Sequence, residues 1–153
     1  MGSYKTILVG TDGSESSFRA VERAAKLAAE TGAKLFITSA YTPMSDRDQR
    51  RAADALGEES YKVVGAHPAE DILREASDLA KKAGADAVDT VCKPGDPVDV
   101  LVDTITEKKV ELCIVGNRGL NSLAGRLLGS VPANISHRAS CDVLIVHTTG
   151  RGR

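Results

Sequence analysis

The feature that most constrains this chain is its alternation of short β-branched apolar runs with longer amphipathic stretches. Tyr4 to Gly10 (YKTILVG) reads as a strand stopped by the turn-rich Thr11-Asp12-Gly13-Ser14. From Ser14 to Thr31 the period becomes helical, with Phe18, Val21, Ala25 and Ala28 on one face and Gly32 as the stop. Ala33 to Thr42 is a second strand. Pro68 to Gly84 is a second helix striped by Ile72, Leu73, Ala76, Leu79, Ala80 and Ala83, with Gly84 as its C-cap. Asp86 to Cys92 gives a weaker third strand. Asp96-Pro97 opens a third helix, with a capping carboxylate, a first-turn proline and a buried face of Val98, Leu101, Val102 and Ile105. Glu111 to Gly116 and Cys141 to His147 supply the fourth and fifth strands. Between these two lie a glycine-punctuated loop and a helix beginning near Val131-Pro132. Strands separated by helices of about ten residues or more need crossover connections, which are right-handed. The chain is therefore expected to be α/β, a doubly wound five-stranded parallel sheet with helices on both faces. The first, fourth and fifth runs are apolar enough for strands buried on both sides.

At 153 residues the chain suits one domain spanning 1–153, with 149–153 as a tail. Its 42% hydrophobic content can build a core without disulfides. A formal charge of -1 offers no basic face to nucleic acid, and 3% aromatic residues offer no stacking platform. Cys92, Cys113 and Cys141 lack CxxC spacing and read as reduced thiols of a cytoplasmic protein. No apolar run reaches the roughly 18 residues of a membrane span. Met1-Gly2-Ser3 fits the loose myristoylation pattern, but a strand beginning by Tyr4 leaves no free arm for an anchor. The run Pro43 to His67, with its charged Asp46 to Arg51, is expected to be a mobile insertion. It reads equally as a solvated excursion and as a lid, with a short surface helix over Asp48 to Leu56.

Ligands of open parallel sheets bind beyond the carboxyl ends of the strands, where the strand order reverses. Two strand ends carry glycines: Gly10-Thr11-Asp12-Gly13-Ser14 after the first, and Gly116-Asn117-Arg118-Gly119 after the fourth. The second cluster continues to Gly129-Ser130 before a helix, giving the spacing G-x2-G-x9-G-S. Glycines let a backbone approach a ligand without a Cβ in the way, and a helix N-terminus offers unpaired N–H groups to a phosphate. Ser130 adds a hydroxyl and Arg118 a guanidinium. No GK[ST] marks a Walker loop, and no GxGxxG follows the first strand. Asp12 reads as either a ligand contact or a helix cap, and Arg126 as a solvated loop charge.

No catalytic set emerges, since GxSxG is missing and no histidine lies near a nucleophile in either glycine turn. His67, His137 and His147 lack ligand spacing, so no metal site is expected. His137-Arg138 suits the negative end of a helix dipole.

On these residues the sequence resembles the universal stress protein family, whose nucleotide motif matches Gly116, Gly119, Gly129 and Ser130. The first-strand turn Gly-Thr-Asp-Gly-Ser and the closing Asp-Val-Leu-Ile-Val run match as well, and the resemblance covers Tyr4 to Thr148. It implies strand order 3-2-1-4-5 and a homodimer paired through Cys141–His147. It also implies an adenine nucleotide as ligand, not tightly bound, with magnesium only if the ligand is ATP. Thr11 and Asp12, beside Gly10, would line the nucleoside end. Ala40 would meet the adenine through its backbone. Val115 and Gly116 would border the ribose, and Arg118, Gly119, Gly129, Ser130 and Val131 the phosphates. The chain departs from the family at Pro132, where nucleotide-binding members usually have Ser or Thr. Proline supplies neither hydroxyl nor N–H, so a single phosphate, as in cyclic AMP or AMP, is expected over ATP. The leading expectation is a nucleotide sensor or reservoir. A weak ATPase using Asp12 and a nucleotide-free interaction module are the alternatives.

Overall fold

The computed structural model describes residues 4–41, 66–117 and 130–148. Five strands form one parallel sheet in the order β3-β2-β1-β4-β5. The strands are β1 Thr6–Gly10, β2 Lys34–Tyr41, β3 Val88–Pro94, β4 Leu112–Gly116 and β5 Asp142–Val146. The helices are α1 Glu15–Thr31, α2 Ala66–Lys82, α3 Pro97–Lys108 and α4 Ser130–Arg138. The order expected from the family resemblance is the order found. β1 pairs with β2 on one side and with β4 on the other, so the switch point lies between β1 and β4.

Alternation along the central strands sorts the core into two layers. Ile7 and Val9 of β1, Leu35 and Ile37 of β2, and Leu112 and Ile114 of β4 face the side covered by α1 and α2. Leu8, Phe36, Cys113 and Val115 face the side covered by α3 and α4. Each central strand is thus buried on both faces, which is why it reads as an unbroken apolar run.

Local chemistry sets most helix ends. Ser14 caps α1 by accepting from the Ser17 N–H at 3.1 Å, and Asp96 caps α3 through Val98 and Asp99. After α2, Gly84 takes φ 115° while its N–H reaches Lys81 O and the Ala85 N–H reaches Ala80 O, closing a Schellman motif.

Several boundaries differ from expectation, most by a single residue at an element end. β1 begins at Thr6, not Tyr4. α2 begins at Ala66, so Ala66 and His67 leave the expected insertion; proline is tolerated anywhere in a first turn, whose N–H groups lack helical partners, and need not be its first residue. Residues 42–65, with the short helix expected over Asp48 to Leu56, lie outside the described residues. β3 runs Val88–Pro94 instead of Asp86–Cys92, because it keeps register with β2 to the end, from Leu35↔Val88 to Tyr41↔Pro94. Proline is acceptable there because β3 is an edge strand.

The largest departure is β5. Expected to be buried on both faces, it is mostly exposed, with Leu144 at 36% and Ile145 at 41% accessibility. An edge strand has one ladder neighbour, here β4, and no described strand pairs with its outer side.

Candidate functional site

The carboxyl ends of β1 and β4 lie side by side, and the α1 N-terminus opens directly beyond β1. Gly10 pairs with Thr38 of β2, and the Thr11 N–H donates to Thr38 O at 3.0 Å. Ala40 follows two residues later on β2 and pairs with Lys93, so it stands at the same sheet end as Thr11 and Asp12.

The first-strand turn is built around one hydroxyl. Thr11, only 1% exposed, accepts from the Gly13 N–H at 3.1 Å and shares a hydrogen bond with Ser17 Oγ at 2.7 Å. Ser17 spends its own proton on Ser14 O at 2.9 Å, so Thr11 is the donor of that pair. The Thr11 hydroxyl is thus committed within the protein. Asp12 Oδ1 accepts from the Ser14 N–H at 2.9 Å, forming an Asx turn. Ser14, not Asp12, caps α1, which removes the capping alternative for Asp12. Asp12 itself is half-buried. Gly13 takes φ 87°, the left-handed region, and lies against Ile72 of α2.

At the end of β4, Val115 is fully buried and packs with the α3 and α4 layer, as does Val131. Their side chains are core, and only backbone remains to border a ligand. Pro132 is buried in the first turn of α4, where its missing N–H removes one of the donors a helix start presents. Ser130 is the first residue of α4, while Arg118, Gly119 and Gly129 lie outside the described residues, as does Arg126.

Gly116 has company that the sequence did not announce. Thr148, two residues past β5, folds back to the β4 end with 2% exposure. Its N–H and its hydroxyl both donate to Asn117 Oδ1, at 2.8 and 3.0 Å. Arg19 Nη1 reaches its carbonyl at 2.6 Å, and Ser16 Oγ hydrogen-bonds its hydroxyl. The Asn117 N–H in turn donates to Val146 O at 2.8 Å. The run Ser14-Glu15-Ser16-Ser17 was the only local signal: serines clustered at a helix start usually serve caps and turns.

The thiols are unpaired: Cys113 is buried, and Cys92 and Cys141 are half-buried. Burial pushes the ionisation of all three above the ordinary thiol range, and for Cys113 far above it. His137 and Arg138 fill the last turn of α4, and Arg138 also pairs with Asp99 of α3 at 2.9 Å. Among the described residues no three His, Cys, Asp or Glu side chains are grouped to hold a metal, and no helix is long and apolar enough to cross a membrane. A separate groove of about 490 Å³ runs between α2 and the β3 edge, where Glu70, Arg74, Asp78 and Lys81 face Thr90 and Cys92. It shares no residue with the β1 and β4 ends.

Comparison with known proteins agrees with this geometry. The universal stress protein family model matches residues 3–147. Universal stress protein Rv1636 of Mycobacterium tuberculosis is 56% identical over 149 residues, covering 97% of this chain and all of that one. A universal stress protein crystallised in complex with cAMP is 48% identical, with a TM-score of 0.72 over 95% of this chain and 98% of that one. The stress protein UspA of Lactobacillus plantarum shares the fold at 23% identity, with a TM-score of 0.75 over 95% of this chain and 99% of that one. This chain belongs to the universal stress protein family.

Proposed function

We propose that this protein binds an adenine nucleotide in the crevice between the β1 and β4 ends and serves as a cytoplasmic sensor or reservoir of it. The observation that carries the reading is the juxtaposition of Gly10-Thr11-Asp12 with Gly116 at the switch point of the sheet. The similar protein at 48% identity that was crystallised with cAMP supports the same ligand class. Gly10, Thr11, Asp12 and Ala40 form the nucleoside end, Val115 and Gly116 the ribose border, and Arg118, Gly119, Gly129, Ser130 and Val131 the phosphate end. Thr11 and Val115 act through backbone, given how their side chains are engaged.

The preferred ligand carries one phosphate, as cyclic AMP or AMP. The family resemblance aligns Pro132, in the first turn of α4, with a Ser or Thr whose hydroxyl and N–H would meet an outer phosphate, and proline has neither. Each lost charge-assisted hydrogen bond costs on the order of 1.5–3 kcal/mol, and the loss falls on ATP alone. Binding without turnover follows from the same lack. Calorimetry with cyclic AMP, AMP and magnesium ATP tests the preference, and Pro132→Thr is expected to raise ATP affinity about tenfold relative to AMP. ATP binding tighter than both monophosphates in the unaltered protein overturns it.

A further inference from the structure

We infer that Thr148 is a positioning residue for the nucleotide crevice, acting as a latch by which the chain beyond β5 holds the β4 end in shape. The inference rests on the adenine-nucleotide reading and deepens it.

Thr148 lies beyond an exposed edge strand, yet it is almost wholly buried and all of its polar groups are engaged at one corner. Hydroxyl bookkeeping orders the corner. Thr148 has one hydroxyl proton and gives it to Asn117 Oδ1, so Ser16 is the donor in the Ser16–Thr148 pair. Asn117 Oδ1 takes two hydrogen bonds from Thr148, which hold that oxygen against the segment beyond β5. Asn117 directly follows β4, and its own N–H donates to Val146 O at 2.8 Å, so both its backbone and its side chain are held by the segment that ends at Thr148.

Gly116 completes the case. Among the described glycines with left-handed φ it does not appear, so no turn requires glycine at this position. A Cβ here would stand 3.3 Å from both Cγ2 and Oγ1 of Thr148, and 3.7 Å from Ser16 Oγ. The bare backbone makes room for the latch. Ser16 and Arg19 belong to the first turns of α1, and Asn117 to the end of β4. Thr148 thereby ties the first turns of α1, the helix that opens beyond β1, to the end of β4.

The test compares cyclic AMP and AMP binding by calorimetry in the unaltered protein, Thr148→Val, Thr148→Ser and Ser16→Ala, with the unliganded melting temperature of each. Valine keeps the shape and removes the hydroxyl, and is expected to weaken binding about tenfold. Serine restores the hydroxyl and is expected to bind within about threefold of the unaltered protein. Rescue by serine separates the hydroxyl's role from general packing. If Thr148→Val does not fold, Ser16→Ala removes one outer donor and is expected to weaken binding by about threefold. Unaltered affinity in Thr148→Val, or in Ser16→Ala where valine fails to fold, overturns the latch and leaves the nucleotide reading standing. No binding by the unaltered protein overturns both.

Discussion

Replacing Gly13 by alanine probes the turn that opens the crevice, because two separable costs meet there. At φ 87° an L-residue sits in the left-handed region, which costs roughly 1–2 kcal/mol. The new Cβ would also stand 2.9 Å from Cδ1 and Cγ1 of Ile72. Ile72 is half-buried on α2, and pushing the outer part of its side chain off its preferred rotamer costs on the order of 1 kcal/mol. Alanine also removes freedom from the unfolded chain, worth about 0.4–1 kcal/mol in the opposite direction. The net expectation is a loss of about 2 kcal/mol, or a melting temperature lower by about 4–8 °C for a chain of this size. Urea unfolding of the unliganded protein measures it as a fall in midpoint at constant slope. The same substitution in an Ile72→Ala background isolates the contact: there it should cost about 1 kcal/mol less, the remainder belonging to the backbone. A Gly13→Ala loss below about 0.5 kcal/mol refutes the strain reading, and an equal loss in both backgrounds refutes the Ile72 contact.

Thr11→Val removes a buried hydroxyl that joins Gly13 to Ser17. It is expected to cost about 1–3 kcal/mol in chemical denaturation and to change nucleotide affinity little among the molecules that remain folded; the opposite pattern would place the hydroxyl on the ligand. Exposed Leu144 and Ile145 on the β5 edge support a homodimer through that strand. Leu144→Lys with Ile145→Lys should then give a monomer in sedimentation velocity, and unchanged sedimentation would exclude that interface. Stability should fall above the ordinary thiol range because burial holds the Cys113 thiol neutral in the folded state. Below that range both states keep the proton; above it the unfolded chain ionises while the folded one does not. Each pH unit there removes about 1.4 kcal/mol per fully protected thiol. Cys113→Ala should flatten the slope, and an unchanged slope would assign it to other groups.

What could be read from the letters divides along physical lines. The capping signals at Asp96, Gly32 and Gly84 are local, and each bounds a helix where its chemistry requires, whereas at the start of α1 the cap is Ser14 and not the candidate Asp12. Lys109 is different: it ends α3 in the left-handed region at φ 54° without being glycine, so composition left no mark of it. The tail end of β3 was illegible for another reason. Lys93 and Pro94 look like a strand's finish, but pairing with Ala40 and Tyr41 carries the ladder through them. β5 shows the limit of apolar runs as burial meters. A run such as Asp-Val-Leu-Ile-Val reads alike in a central strand and in an edge strand, so composition alone does not tell how many sides of it are covered. The site follows the same rule. Gly13 announces itself because its reason, a tight turn, lies within four residues. Gly116 announces only that something comes close; that something, Thr148, belongs to the far end of the chain, and Asn117 meets it 31 positions away. A glycine motif thus marks where backbone must stay bare, and at Gly116 part of that bareness accommodates Thr148, just beyond β5. The ribose border proposed there is accordingly a surface shaped from behind by the chain end, which is why altering Thr148 should be felt by a ligand it does not touch.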